Sequence, residues 1–212
     1  MILENSFLNI NMKKLLYLFI AITTFACNTT TKKEEKKNDV TVQDTSLSFN
    51  LENSNIKWTG TELTSKTHYG SLKLTQADLV IVDSKITGGE FTVDMTSLNV
   101  EDLEGEWKEK LEGHLSSDDF FSIEKFETAS LKVLNSNSLE NGTFNVNGEL
   151  TIKDITHPIE FTISKNDDNN YNANLTFDRS KYDVKFRSGT FFENLGDKLI
   201  LDDIDLEVSL SI

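Results

Sequence analysis

The chain has 212 residues, of which 37% are hydrophobic and 26% charged, and this is enough apolar material for a folded core. A formal net charge of −14 repels phosphate, so we expect no binding to nucleic acid. The single cysteine excludes both an internal disulfide framework and a metal site built from several cysteines.

The first 27 residues are typical of an export signal. The pair Lys13-Lys14 precedes a mostly apolar run over residues 15–25, which is shorter than the about 20 residues that span a bilayer. The sequence Thr24-Phe25-Ala26-Cys27 then resembles the lipobox of bacterial lipoproteins, although Thr24 stands where leucine is usual. We therefore predict a lipoprotein signal over residues 1–27 with lipidation at Cys27. The alternative is an incidental cysteine in an ordinary signal peptide.

Residues 28–45 are polar, carry a charged run over 32–37 and show no apolar period, which predicts a disordered tether. Several lipid chains on one cysteine give stable membrane attachment. The prediction is thus a lipoprotein of the cell envelope, facing the periplasm or lying on the outer-membrane surface.

From Ser46 onward apolar and polar residues alternate, which is the period of a β-strand. The alternation is clearest over residues 91–95, 144–152, 171–177 and 204–212. Turn signals separate the strands at Asp83-Ser84, Asn141-Gly142, residues 167–170 and Gly196-Asp197. Short connections favour antiparallel hairpins. About eight such strands predict one all-β domain over residues 46–212, as a sandwich or as a closed barrel.

Two segments of this domain depart from simple alternation. Residues 79–82 are apolar on both faces, so we expect a helix or a partner chain to cover them, and a homodimer is one form of that expectation. Gly88-Gly89 indicates a bulge or a sharp strand bend, with close approach of a ligand as the alternative.

One helix is predicted between Glu101 and Ser116, because apolar residues recur there every four positions. These residues are Leu103, Trp107, Leu111 and Leu115. A lone helix in a β domain commonly covers one end of a barrel. The pair Asp118-Asp119 then reads as the cap of a turn before Phe120, and a catalytic carboxylate pair is the less favoured interpretation.

The sequence contains no glycine-rich phosphate loop, no Gly-x-Ser-x-Gly motif and no His-Glu-x-x-His pair. A barrel could bring His68 and His114 together with Asp94 or Asp119 as a metal or general-base site. The competing interpretation is that these histidines are structural and hydrogen-bonded beside turns.

Seven segments, taken in order, resemble the YceI-like family of polyisoprenoid-binding, lipocalin-like bacterial envelope proteins. They are residues 56–60 (IKWTG), 68–70 (HYG), 86–98 (ITGGEFTVDMTSL), 111–121 (LEGHLSSDDFF), 147–156 (NGELTIKDIT), 177–184 (FDRSKYDV) and 189–197 (GTFFENLGD). The resemblance extends over residues 47–212. It departs at Asp154, where the family more often has glycine.

The resemblance implies an extended eight-stranded antiparallel lipocalin-like β-barrel with one short helical insertion, around a long apolar pore. It also implies non-enzymatic binding of an isoprenoid, quinone-like or fatty-acyl lipid, for carriage or storage. No metal or further cofactor is expected. The predicted ligand-binding residues are Phe91, Val93, Met95, Leu98, Leu111, Leu115, Phe120, Phe121, Phe161, Phe177, Phe191 and Phe192, with His68, His114 and Asp94 as polar groups at the mouth.

Two other functions compete with lipid binding. One is a metal-dependent or histidine-based envelope enzyme built on the same barrel. The other is a structural or adhesion lipoprotein whose barrel interior is filled by side chains.

Overall fold

The computed structural model describes residues 44–64, 66–166 and 168–212. The predicted signal over 1–27, the lipidation site Cys27 and residues 28–43 of the predicted tether lie outside these ranges. Strand structure begins at Asp44, two residues before the predicted domain boundary at Ser46.

The described residues form nine strands, one α-helix and two short 3₁₀ turns. In chain order they are β1 (Asp44–Ser48), β2 (Asn50–Glu62), β3 (Thr67–Val82), β4 (Lys85–Val100), α1 (Gly105–Ser116), β5 (Thr128–Ser138), β6 (Thr143–Ile152), β7 (Ile155–Lys165), β8 (Tyr171–Asp178), the 3₁₀ turns Arg179–Tyr182 and Gly196–Lys198, and β9 (Ile200–Ser211).

The strands form one antiparallel sheet that closes on itself. Its order is β1-β3-β2-β9-β8-β7-β6-β5-β4, and β4 pairs back onto β3. β2 pairs with the first half of β3, and β1 continues the same edge along the second half, from Ser48 opposite Asp78 to Asp44 opposite Val82. β1 and β2 thus act as one interrupted strand. The predicted eight-stranded barrel is confirmed, and the sandwich is excluded by the pairing of β3 with β4.

The alternation of apolar and polar residues along each strand determines which side chains fill the barrel interior. On β8, Tyr171, Ala173, Leu175 and Phe177 are buried, while the residues between them are exposed. A polar residue at every second position keeps the outer face in water, and the apolar residues of neighbouring strands meet inside. All buried apolar residues of the described chain therefore join one core cluster.

The two ends of the barrel differ in their connections. At the end that we call the turn end, the two residues Asp83-Ser84 join β3 to β4 and the four residues 139–142 join β5 to β6. Both turns contain left-handed backbone, at Asp83-Ser84 and at Asn141-Gly142. The opposite end, which we call the helix end, carries residues 101–127, including α1, and residues 179–199. It also holds the β6–β7 turn, where Asp154 has a φ of 59°, a conformation that glycine adopts without strain.

The predicted helix starts later than expected and exposes part of its apolar stripe. α1 begins at Gly105, because the preceding segment is held on β3: the Asp102 carboxylate accepts the Tyr69 backbone N–H at 3.0 Å and faces His68 at 2.7 Å. Leu103 lies outside the helix, and Trp107 is 70% exposed. Among the described residues, no helix has the length and apolar content needed to cross a membrane.

β1, rather than a helix, lies beside the apolar run over residues 79–82. Leu79 is fully buried and the other three residues are half-buried. The predicted bulge is nearby: Val80 opposes Gly88 but Ile81 opposes Ile86, which leaves Thr87 as the extra residue.

Candidate functional site

The barrel encloses a cavity of about 220 Å³. The inner faces of β2 to β9, together with α1 and the two long helix-end connections, supply its wall. Most of these residues are aliphatic or aromatic, so the cavity is an apolar compartment inside a closed sheet. An apolar cavity of roughly 150 Å³ can stay dry and take up a small hydrocarbon, so this larger one is suited to apolar chains.

Ten of the twelve predicted apolar ligand-binding residues lie on the cavity wall. They are Phe91, Val93, Met95, Leu98, Leu111, Leu115, Phe120, Phe121, Phe161 and Phe177. Their ligand contacts stay a prediction, but the structure brings them together around one space. Those on strands were predictable because they occupy the inward positions of the alternation. Leu74, Ile163 and Leu206 also occupy inward positions and lie on the wall, but the prediction omitted them.

Phe191 and Phe192 face the surface, and their predicted contact with a ligand stays a prediction. They are 43% and 50% exposed and are not part of the cavity wall. The carbonyl of buried Ser188 accepts both of their backbone N–H groups, at 3.2 and 3.0 Å, in a turn that directs the pair away from the interior. Phe192 instead borders a separate surface groove with Phe186 and Arg187.

Asp94 is also absent from the cavity wall. Its carboxylate accepts the backbone N–H of Thr96 at 2.9 Å and the Thr96 hydroxyl at 2.5 Å, so it caps its own strand segment. The predicted role of Asp94 at the mouth therefore finds no support in its placement.

His68 lies on the wall at the helix end, where its Nδ1 is 2.7 Å from the Asp102 carboxylate. Asp102 is 34 residues away in sequence and was not predicted as its partner. The carboxylate orients the imidazole and leaves Nε2 for another group. Because Asp102 also accepts the Tyr69 N–H, the pair fixes the strand edge beside the mouth.

His114 lies on the wall within an aromatic cluster. Its ring centroid is 4.3 Å from that of Phe186 and 5.3 Å from that of Phe120, both edge to face. Burial lowers the pKa of His114, and the charge of Arg187 lowers it further, while Asp119 acts in the opposite direction. The neutral imidazole is thus favoured in an apolar setting, and the predicted group of His68, His114 and a shared carboxylate is not formed.

The described residues contain no cluster of three or more His, Cys, Asp or Glu side chains suited to hold a metal ion. The pair Asp118-Asp119, considered as catalytic, is exposed, and Asp118 forms an ion pair with Lys125 at 2.8 Å. That ion pair lowers the pKa of Asp118.

Arg179 holds the second long connection against the barrel. It is fully buried and donates to the carbonyls of Val184, Ile200 and Leu201 at 3.1–3.2 Å. Its Nη2 is also 3.2 Å from Asp202 Oδ1, in an ion pair that is not a hydrogen bond. These contacts fix the segment that brings Phe186 and Arg187 to the cavity, and no local pattern in residues 183–199 could have predicted them.

The two ends of the cavity differ in polarity. At the turn end, the buried rings of Phe49 and Tyr171 meet edge to face with centroids 5.5 Å apart, and this contact closes the barrel. The polar members of the wall all lie near the helix end: Thr61, Glu62, His68, His114, Ser130 and Arg187. The cavity wall is therefore polar near the helix end and apolar towards the turn end.

Comparison with known proteins agrees with this architecture. The family model described as "YceI-like domain" matches residues 47–212. The fold is similar to that of BcnA from Burkholderia cenocepacia, with a TM-score of 0.57 at 15% identity over 76% of this chain and 98% of that one. It is also similar to a polyisoprenoid binding domain from Saccharophagus degradans, with a TM-score of 0.51 at 12% identity over 77% of this chain and 95% of that one. None of the curated proteins matches the sequence.

Proposed function

The chain belongs to the YceI-like family, and from that premise we propose that it binds one long apolar lipid inside the barrel without catalysing a reaction. The lipid is an isoprenoid, a quinone-like molecule or a fatty-acyl chain, held for carriage or storage in the cell envelope. The observation that carries the proposal is the cavity of about 220 Å³, apolar along its length and polar near one end only. The similarity in fold to a polyisoprenoid binding domain supports it.

The energetics favour a long tail. Each buried CH₂ contributes about 0.8 kcal/mol, so ten methylene groups contribute about 8 kcal/mol. Immobilising a ligand costs several kcal/mol of translational, rotational and conformational freedom. Short chains therefore bind weakly, and affinity should rise with chain length until the tail meets Phe49 and Tyr171 at the closed end.

The polar group of the ligand is proposed to lie near His68 and His114. His68 keeps Nε2 available because Nδ1 faces Asp102. Arg187 adds a positive charge to the same part of the wall. A carbonyl, hydroxyl or carboxylate can accept a hydrogen bond from such groups.

A cavity-blocking variant tests the proposal. Ala173 is buried on β8 and lies on the wall, so Ala173→Phe places a ring inside the cavity. The neighbouring Asn174 is exposed, and Asn174→Phe adds the same ring outside the barrel. In titrations with the fluorescent polyene fatty acid cis-parinaric acid, we expect the affinity of Ala173→Phe to fall at least tenfold and that of Asn174→Phe to stay within twofold of the parent. Equal affinities for all three proteins, with unchanged circular dichroism, would remove the cavity as the binding site.

The proposed location in the envelope depends on Cys27, whose sequence context supports lipidation. Cells fed radiolabelled palmitate should incorporate the label into the parent chain and not into Cys27→Ser. If Cys27→Ser were labelled equally, the anchor would have to be elsewhere. Protease treatment of intact cells then separates a surface-exposed domain, which is cut, from a periplasm-facing one.

A further inference from the structure

Exposed aromatic side chains are concentrated at the helix end of the barrel. In the described part of the chain, the exposed aromatics are Tyr69, Trp107, Phe191 and Phe192, on the start of β3, on α1 and on the connection over 179–199. Trp107 is the most exposed, at 70%. At the turn end, the exposed large apolar side chains beside the strand ends are aliphatic: Leu139 follows β5 and Ile212 follows β9.

Three of these aromatics form what we call the aromatic rim: Trp107, Phe191 and Phe192. The rim adjoins the cavity. Trp107 lies one helical turn before Leu111 on the same face of α1, and Leu111 is part of the cavity wall. Phe192 shares its surface groove with Phe186 and Arg187, which also line the cavity. That groove also contains Asp118, Asp119 and Asp183, so the rim reaches the outer surface as apolar rings beside carboxylates.

A lysine accompanies two of the rim side chains. Lys110 Nζ lies 5.0 Å from the centroid of the Trp107 ring, and Lys185 Nζ lies 5.4 Å from that of Phe191. Tryptophan beside lysine is the combination found at the membrane–water interface, where the ring lies among the headgroups and the ammonium reaches a phosphate. Each lysine also forms an ion pair, Lys110 with Glu106 at 3.2 Å and Lys185 with Asp183 at 2.5 Å. The rings of the rim are therefore the apolar groups that a bilayer surface accepts, and the paired lysines keep the local charge near neutral.

The area of the rim favours a bilayer over a second copy of the chain. At the observed exposures, three aromatic side chains of at most 250 Å² each offer about 400 Å² in all. Each partner in a standard stable interface buries about 800 Å². We propose that the aromatic rim docks on the surface of a lipid bilayer, so that the helix end of the cavity faces the membrane.

The net charge of the chain defines the kind of bilayer. A formal charge of −14 is repelled by anionic lipid, and Lys110 and Lys185 are each paired with a carboxylate, so the proposed partner is a zwitterionic surface. Docking is independent of what the cavity binds. Its failure would leave the lipid-binding function untouched.

The experiment uses the full chain on phosphatidylcholine vesicles and measures where Trp107 lies. The chain has two tryptophans, and Trp58 is buried, so the difference in emission between the parent and Trp107→Phe reports Trp107 alone. With vesicles of brominated phosphatidylcholine, we expect quenching of the Trp107 emission by at least half. Quenching by aqueous iodide should fall at least threefold when vesicles are added.

Matched variants locate the contact. The double change Phe191→Ser with Phe192→Ser should at least halve the brominated-lipid quenching of Trp107. Leu139→Ser with Ile212→Ser removes exposed apolar side chains at the turn end and should leave it unchanged.

Three results would overturn the proposal. The first is a chain that does not float with the vesicles. The second is a vesicle-bound chain whose Trp107 is quenched by iodide but not by brominated lipid, which would place the rim in water. The third is found without vesicles: if Trp107 becomes better protected from iodide as the protein concentration rises, the partner of the rim is a second copy of the chain.

Discussion

The imidazole of His114 lies between aromatic rings at the helix end of the cavity, and this setting defines its chemistry. Its position on the wall could be expected from the sequence, since it lies one turn after Leu111 and beside Leu115 on the predicted helix. Its neighbours could not, because Phe186 and Arg187 arrive from a connection about 70 residues further along the chain. The same holds for His68, whose partner Asp102 is on a different element.

The pKa of His114 predicts a pH dependence of stability. Burial lowers this pKa below its ordinary value of 6.5, so near that value the unfolded chain binds more protons than the folded chain. The free energy of unfolding should therefore be highest above pH 6.5 and decrease as the pH falls through the lowered pKa. Urea unfolding at pH 8 and at pH 5 measures the change.

The control for this prediction is His114→Gln, which has no titratable group at that position. The decrease in stability between pH 8 and pH 5 should be smaller in this variant than in the parent. The depressed carboxyl pKa values of Asp78, Asp118 and Asp183 act only at lower pH, near and below 3.8, so they do not interfere. An identical decrease in both proteins would contradict the account of His114.

At the scale of elements, strands were predictable and connections were not. The alternation on β8 specifies which side chains point inward, because a strand has only two faces. The helix was predicted by its four-residue spacing, but its start was not, since the contacts of Asp102 with β3 end the preceding strand segment. Residues 183–199 show no regular spacing of apolar residues. The buried Arg179 holds this segment in place through hydrogen bonds that form only in the folded chain.

Two glycines provide a matched test of element packing. A Cβ on Gly70 in β3 would lie 1.8 Å from the Asn99 carbonyl oxygen and 2.8 Å from Trp58 Cζ2. Gly70→Ala must therefore separate β3 from β4, and we expect it to lower the free energy of unfolding by about 3 kcal/mol. Gly113 in α1 has open space around its Cβ position, and Gly113→Ala should raise the free energy by about 0.5–1 kcal/mol. Urea unfolding compares them, and a stable Gly70→Ala protein would show that the β3–β4 contact is looser than described.

The described part of the chain is a barrel with one closed apolar end and one polar end that bears long connections. The alternation of apolar and polar residues alone could not distinguish a sandwich from a barrel, because the strands of both have one apolar face. The resemblance in seven segments favoured the barrel, and the pairing of β3 with β4 confirms it. The open interior depends on how side chains from eight strands fit together, which no local pattern reports.

The most direct test of lipid binding is mass spectrometry of the organic extract from the full chain purified without added lipid. The account predicts a long-chain apolar compound near one equivalent per chain in the parent and in Asn174→Phe, and its loss in Ala173→Phe, whose added ring occupies the cavity. A folded parent protein that consistently releases no such compound, or an Ala173→Phe protein that releases as much as the parent, would contradict the central claim.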